Sequence, residues 1–422
     1  MVVRDYILNV CGLWLLCLTV TLLIITPVFA LTIDEAIEMA KINSPFYKAA
    51  GLKIKATEAL YKATLSPYLP SLDVSTLQSR HYTSSLDYDI KDYEVKLSYT
   101  LFDGGIRKSE RDIAFLNLDI DREELRKVFL ELRYQVKNAF YRVIASQEIL
   151  ELRRIQLKDA EKDHEVAQGR YKFGVARLSD VLQASVRLEQ ARYNLMQAEG
   201  DLKKALAELN SLIGRDLDTP YDLQGILTEH IEIPDKQILF ESGLKGPEVI
   251  QAERSLKISE KNRSKGLSPF YPSILFSASY SKTEGGVFRF SFPEEKRVDL
   301  SATWNIFDLG KFFRLRASER EVEVSEDKLR EIKRQTILNI YRTIEDISTA
   351  INKVKVAEEQ LKQAEHNYEQ AFGEYKVGKA DILSLVQAES QLATAREQLI
   401  NSKLSVMLSK ALLEKIAALE NN

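Results

Sequence analysis

Cysteine is nearly absent. The two present, Cys11 and Cys17, lie close to the start, so the rest of the chain has no disulfide framework and no thiol chemistry. The four histidines, His81, His164, His230 and His366, lack metal-ligand spacing and are assigned to solvated surface. There is no basic run and no basic-aromatic stripe, and the net charge is -3, so a nucleic-acid partner is not implied. No nucleophile–base pair and no isolated carboxylate pair in an apolar setting is found, which leaves catalysis without a candidate and no cofactor implied. Gly104-Gly105 lacks both Gly-x-Gly-x-x-Gly and Walker spacing. It reads instead as a sharp strand-to-helix transition capped by Asp103, and Asp308 and Gly310 read the same way. Gly285-Gly286 is assigned to a flexible loop. After residue 30 no run of about 20 apolar residues remains, which excludes a further transmembrane helix.

The one long apolar run is at the start. Ile7 to Ile25 is almost wholly apolar, follows Arg4, and is succeeded by Val28-Phe29-Ala30, where an export peptidase would cut. Residues 1–30 are expected to be a cleaved secretory signal. An uncleaved membrane anchor is the alternative, because the run is long enough to span. Thr32 and Asp34 open an amphipathic helix directly afterwards, which favours cleavage. Neither cysteine follows a small-residue lipidation box. An exported chain without another membrane helix is periplasmic, secreted or in an outer membrane.

What the sequence does have, it has twice. Leu65-Ser66-Pro67-Tyr68-Leu69-Pro70-Ser71 returns as Leu267-Ser268-Pro269-Phe270-Tyr271-Pro272-Ser273, 202 residues later. Leu101-Phe102-Asp103-Gly104-Gly105 returns as Ile306-Phe307-Asp308-Leu309-Gly310, at 205, and Tyr171-Lys172-Phe173-Gly174 as Tyr375-Lys376-Val377-Gly378, at 204. Three matches in one order at nearly one offset indicate duplication of a large unit rather than a short-repeat solenoid. The expected division is a signal at 1–30, a first repeat at 31–213, an irregular connection at 214–245 with a possible small segment of its own, and a second repeat at 246–422.

Each repeat reads as helix, two strands, then very long helices. Residues 33–65 look helical, with Thr32 or Asp34 as cap and an interruption at Ser44-Pro45. In the first strand pair, about 71–102, Tyr93, Val95, Leu97, Tyr99 and Leu101 alternate with Glu94, Lys96, Ser98 and Thr100. In the second, about 273–307, Val298, Leu300, Ala302, Trp304 and Ile306 alternate with Asp299, Ser301, Thr303 and Asn305. Period two gives each strand one oily and one wet face. Loops are expected at about 81–91 and 282–296. Beyond the strands, Leu125, Phe129, Leu132, Val136, Phe140 and Val143 step by fours and threes, as do Ile340, Ile344, Ile347, Ile351 and Val354. From 106 to about 169 there is no proline, so this helix would reach on the order of 95 Å. Gly174 and Gly378 then turn the chain into return helices at about 178–213 and 381–418.

Four strands cannot close a barrel, since the smallest membrane barrels have about eight. Left open in a bilayer, the sheet would strand its edge N–H and C=O groups at several kcal/mol each. The oily strands therefore need copies from sister subunits: two chains give eight strands and three give twelve. The long helices would leave one end as a helical cylinder, making a tube with β structure in the membrane and α structure below it.

The chain resembles the TolC-type outer-membrane efflux proteins. The resemblance covers essentially all of it beyond the signal, and rests on Leu31-Thr32-Ile33-Asp34-Glu35-Ala36, the Pro-x-Leu-Pro-Ser approach to the strands, the Phe-Asp-Gly-Gly exit and the two Tyr-x-x-Gly turns. It implies a mainly α chain with a membrane β part, in which duplicated long-helix hairpins and two strand pairs form an intermolecular 12-stranded β-barrel and a periplasmic α-barrel as a homotrimer. It also implies a passive exit duct in the outer membrane, in contact with its lipid and docked by a periplasmic adaptor (membrane fusion protein) and an inner-membrane pump. In that family the turns form the periplasmic mouth. Tyr171, Lys172, Gly174, Val175 and Arg177, with Tyr375, Lys376, Gly378, Lys379 and Ala380, would surround the contact. Asp180 falls where the family often places an acid near the constriction; the same spacing in the second repeat gives Ser384 and then Gln387, a departure from the pattern. Asp381 could substitute or be a helix N-cap, and the cap is favoured. Tyr93, Tyr99, Tyr280 and Trp304 are girdle candidates. Two other classes are a structural or adhesive coiled coil of the cell envelope, which would have no use for four amphipathic strands, and the adaptor itself.

Overall fold

The computed structural model describes residues 30–223, 225–227, 233–286 and 294–419. The expected signal, apart from Ala30, lies outside these, as does His230.

Strand β1 (Ala30–Leu31) leads into helix α1 (Ile33–Asn43), opened by a reciprocal capping box. The Glu35 amide donates to Thr32 Oγ1 at 3.3 Å and the Thr32 amide to Glu35 Oε2 at 3.0 Å, so Thr32 is the cap. Ser44 separates α1 from α2 (Pro45–Ala63): its hydroxyl accepts from the Tyr47 amide at 3.2 Å, and Pro45 sits at the helix start, where no N–H is needed. A short 3-10 turn precedes strands β2 (Ser71–His81) and β3 (Tyr88–Phe102), followed by α3 (Ile106–Lys172, 67 residues) and α4 (Leu178–Ile213, 36 residues). At the standard rise α3 is on the order of 100 Å long. Next come β4 (Asp222–Leu223), α5 (Lys236–Leu244), α6 (Pro247–Leu267), β5 (Ser273–Gly285), β6 (Glu294–Thr303), α7 (Leu309–Lys376, 68 residues) and α8 (Ile382–Ile416, 35 residues).

Three features differ from expectation. Helix α5 stands inside the segment read as irregular, capped by Asp235, whose Oδ1 accepts from the Gln237 amide at 3.1 Å. Nine residues are too few to display a helical period. Pro45 and Pro247 carry the same 202-residue offset as the Leu-Ser-Pro motifs, so α5 and α6 repeat α1 and α2. The hairpin loops are shorter than expected, because pairing continues through charged residues as far as His81↔Tyr88 and Lys282↔Glu294. The second strand pair ends early instead: β6 stops at Thr303, and Trp304 and Ile306 lie in irregular chain, with Trp304 Nε1 donating to the Phe270 carbonyl at 3.2 Å.

At the strand-to-helix junctions the aspartates cap as expected. Asp103 Oδ1 accepts from the Gly105 amide at 3.0 Å and Oδ2 from the Arg107 amide at 3.0 Å; Asp308 Oδ1 accepts from the Gly310 amide at 2.8 Å. Gly104 has φ +67, and a Cβ there would stand 2.7 Å from the Ser268 carbonyl oxygen. Ser268 Oγ donates back to the Gly104 carbonyl at 3.0 Å, so the junctions of the two repeats interlock.

The chain divides into two compact units, each drawing on both repeats: Met1–Asn43, Gln135–Ile231 and Thr349–Leu408 in one, and Ser44–Tyr134, Glu232–Ser348 and Ser409–Asn422 in the other. The second holds the four-stranded sheet, with a helical core that includes Leu239, Val249, Ile340, Ile344 and Ile347. The first holds both hairpin turns. Its α7 buries Ala350, Ala357, Ala364 and Ala371 at intervals of seven, and α8 buries Leu385 with Leu392 and Ala388 with Ala395 at the same interval. A seven-residue repeat is the coiled-coil period, and alanine lets helix backbones approach closely. Ala357 is only 1% exposed. Ala357→Leu is expected to overfill this seam and lower stability by about 1–3 kcal/mol, seen as a lower melting temperature in detergent, whereas Glu358→Ala on the exposed face should leave melting unchanged.

Candidate functional site

Two regions carry functional geometry. In the sheet, strand order is β2-β3-β5-β6 and every pairing is antiparallel. Register sorts the faces. Leu72, Leu97, Ala278 and Val298 form one cross-strand row, flanked by Val74, Val95 and Tyr280 on one side and by Tyr99, Phe276 and Leu300 on the other. The opposite face reads Ser71, Ser98, Ser277 and Asp299, then Asp73, Lys96, Ser279 and Arg297, then Ser75, Glu94, Ser281 and Glu295. Towards the hairpin loops the oily face gives way to charge at Arg80, Asp89, Lys91, Lys282 and Glu284. Tyr93, Tyr99 and Tyr280 share the oily face; Trp304 falls just beyond β6.

No residue of these four strands is buried. Val74 is 75% exposed and Val298 72%. Each large apolar side chain kept in water forgoes roughly 1.5–3 kcal/mol. The strands hold 11, 15, 13 and 10 residues, enough to cross a bilayer core when tilted. A sheet with one oily face, one wet face and free edges at β2 and β6 fits a membrane wall with water on the other side.

In the other unit, the two turns use one backbone device. The Val175 amide donates to the Arg170 carbonyl and the Gly174 amide to the Tyr171 carbonyl, both at 2.9 Å. The Lys379 amide donates to the Glu374 carbonyl at 2.9 Å and the Gly378 amide to the Tyr375 carbonyl at 3.1 Å. These are paired Schellman caps, and they require the left-handed conformation that Gly174 and Gly378 adopt at φ 75 and 78.

The return helices are capped in opposite senses. In the first, Asp180 stands three residues into the cap and its Oδ2 accepts from the Arg177 amide at 3.4 Å. In the second, Asp381 is itself the cap: its Oδ1 accepts from the Ser384 amide and the Ser384 hydroxyl, both at 3.0 Å. The acid has moved from the third position to the first, which accounts for serine at 384. Ser384 and Gln387 are exposed.

The turns also differ in what they display. Tyr171, Phe173, Val175 and Val377 are exposed, as are Lys172, Arg177, Lys376 and Lys379. Tyr375, the repeat mate of Tyr171, is 1% exposed. The Arg170 guanidinium lies 4.5 Å from its ring centroid and donates to its carbonyl oxygen. Burial, more than any neighbouring charge, pushes the Tyr375 hydroxyl up from its ordinary value. Tyr375 thus anchors the turn from within. Sequence reasoning passed over Arg170, and also the buried Asp163 and the part-buried Arg187 and Glu389. The signal was available: Gln156, Asp163 and Arg170 recur every seven residues, interleaved with the buried Ala160 and Ala167.

The chain matches the family described as Outer membrane efflux protein over residues 36–215 and 244–418. It is 26% identical to Protein CyaE of Bordetella pertussis over 378 residues, 87% of this chain and 80% of that protein. It is 24% identical to the toluene efflux pump outer membrane protein TtgC of Pseudomonas putida over 412 residues, 91% of this chain and 82% of that one. Its fold is that of the solved channel protein CusC, at a TM-score of 0.82 and 17% identity, covering 91% of each chain. The chain belongs to the outer membrane efflux protein family. It is an outer-membrane channel component of the efflux class, mainly helical, with a large periplasmic portion.

The cap geometry sets a pH dependence. The Asp381 carboxyl is held below its ordinary range, chiefly by the Ser384 amide and then by its hydroxyl. A depressed carboxyl stabilises the folded turn above the ordinary carboxylate pKa, and that contribution is lost as pH falls through its own lower value. Acidification below about pH 4 should therefore speed amide exchange at Leu383 and Ser384, corrected for intrinsic rates. Asp381→Ala should exchange several-fold faster at neutral pH and show no acid step.

Proposed function

We propose that three copies of this chain close a twelve-stranded barrel in the outer membrane, β2 of one copy pairing with β6 of the next, and continue as a helical barrel through the periplasm. The observation that carries this is the four-stranded sheet with no buried residue and two free edges. In lipid those edges are untenable unless paired. Polar rows such as Asp73, Lys96, Ser279 and Arg297 would then face a water-filled lumen. An exposed apolar stripe along α4, comprising Leu178, Leu182, Val186, Tyr193 and Met196, supports helix contacts between sister copies.

The duct has no catalysis of its own and opens passively to cargo delivered by an inner-membrane pump. The turns form the periplasmic mouth and receive an adaptor. Tyr171, Val175, Val377 and Lys379 supply the contact surface, while Gly174, Gly378, Tyr375 and Asp381 hold its shape. Residues 1–30 direct export and are removed.

Native mass spectrometry in detergent should give a species of three chain masses, and planar-bilayer recording should detect a pore. A monomer that stays in solution without detergent would defeat the assignment. Cysteines placed at Val175 and Lys379 should cross-link to an envelope adaptor; if neither does, the mouth assignment fails while the pore remains.

A further inference from the structure

The oily face of the sheet carries a pattern that runs obliquely to its cross-strand rows. Along the rows, charge and oil mix: Val74, Val95 and Tyr280 share one with Lys296, and Thr76 and Tyr93 share the next with Lys282 and Glu294. Advancing two residues towards the hairpin loop at each strand from β6 to β2 separates them. Leu300, Ala278, Val95 and Thr76 lie on one such line, and Val298, Tyr280, Tyr93 and Gln78 on the next. Then come Lys296, Lys282, Lys91 and Arg80, all cationic. Beyond them stand Glu294, Glu284 and Asp89, all acidic.

Strand tilt makes these oblique lines the nearly level ones. The Gly286 amide donates to the Asp89 carbonyl, so residues on the oily face of β3 turn their N–H and C=O groups towards β5. For L-residues on a strand leading down from its loop, β5 then lies to the left of β3 as seen from the oily side. Barrel strands coil right-handedly and tilt by about 40°. Each strand further right must therefore be met nearer its hairpin loop for a line to stay level. At about 4.8 Å between strands the stagger is about 4 Å, a little more than one residue. An advance of two residues per strand is nearer to level than constant register, and it keeps to one face.

We propose that Arg80, Lys91, Lys282 and Lys296 form a phosphate-binding belt for lipid A, the bisphosphorylated glycolipid anchor of lipopolysaccharide, on the lipid-facing wall of the barrel. The belt rests on the duct reading above, in which four cations per copy become a ring. It lies at the strand ends remote from α3 and α7, which in an outer-membrane protein with a periplasmic helical portion is the outer leaflet. Its cations border the line of Tyr280 and Tyr93 directly, and aromatic girdles mark the level where hydrocarbon meets headgroup. The acids stand on the far side and repel a phosphate placed any higher. Neighbouring members of the line are about 8 Å apart at their Cα atoms. A disaccharide with a phosphate at each end engages two of them, whereas an ordinary phospholipid offers one phosphate.

Two members are free to take a ligand. Lys91 and Lys296 are exposed and make no hydrogen bond or salt bridge among the described residues. The other two are steadied by the acids: Lys282 Nζ lies 2.6 Å from Glu284 Oε1, and Arg80 Nε lies 3.6 Å from Asp89 Oδ1. Such pairs in exposed positions are weak, and each cation keeps further N–H donors for a phosphate. The opposite face of β3 supplies a built-in control in Lys96, which shares the strand with Lys91 but points to the wet side.

Native mass spectrometry of the full-length protein in neutral detergent, titrated with diphosphoryl lipid A, tests the belt. The wild type should retain lipid A, and the double variant Lys91→Gln/Lys296→Gln should bind it about tenfold or more weakly. Lys96→Gln should bind like the wild type. Dephosphorylated lipid A should bind the wild type as weakly as diphosphoryl lipid A binds the double variant. Phosphatidylglycerol or cardiolipin at equal concentration should not displace lipid A. Should the double variant misassemble, Lys91→Gln alone should show about a fivefold loss. Equal binding of lipid A with and without its phosphates overturns the belt, as does an equal loss in Lys96→Gln. Displacement by phosphatidylglycerol or cardiolipin overturns the choice of lipid A. Planar-bilayer recording of the same samples separates the belt from the duct. A normal pore without lipid A binding overturns the belt and leaves the duct intact, whereas a monomer with no pore overturns the duct and the belt with it.

Discussion

An antiparallel sheet of four strands leaves two rows of backbone N–H and C=O groups unmatched, and the rest of this chain follows from that deficit. Water could satisfy the edges of β2 and β6, but the apolar rows led by Leu72, Val74, Val298 and Leu300 are unsuited to water. Lipid suits those rows and cannot satisfy the edges. Only more strands of the same kind resolve both demands. The chain supplies a section of such a wall, and its long helical hairpins are built on the same duplicated plan.

Duplication gave two hairpins one backbone design, and side chains then diverged on it. Both turns end in the same pair of cap hydrogen bonds around a left-handed glycine. On that shared frame, Tyr171 faces out and Tyr375 is covered by Arg170. The capping acid is Asp180 in one return helix and Asp381 in the other, at different cap positions. Divergence also placed Arg187 between Asp163 and Glu389, where identical repeats would have had either no arginine or a symmetric pair.

Much of this was legible in the amino-acid order because it depends on local rules. The alternation through Tyr93 to Leu101, the Asp103 and Asp308 caps and the glycine turns each arise from neighbours a few residues apart. What escaped depends on partners far along the chain. Helix α5 is too short for its period to show, and the register of β3 with β5 carries charged residues into strands that composition alone would end. Arg170 and Tyr375 meet across 205 residues and Arg187 and Glu389 across about as many, and one sequence does not say which helix faces which. The heptad spacing of Gln156, Asp163 and Arg170 was a signal of polar groups on an otherwise apolar stripe, but it marks a position without naming the contact.

The antiparallel order β2-β3-β5-β6 has one more result. Four is even, so β2 and β6 run in opposite directions, and any junction between neighbouring copies repeats the alternation found inside each copy. Nothing in the ribbon's own parity favours one ring size over another. In the ring proposed above, the number of protomers would then be set by how the helices of neighbouring copies pack and by the stagger of the strands, not by the direction in which the edge strands run.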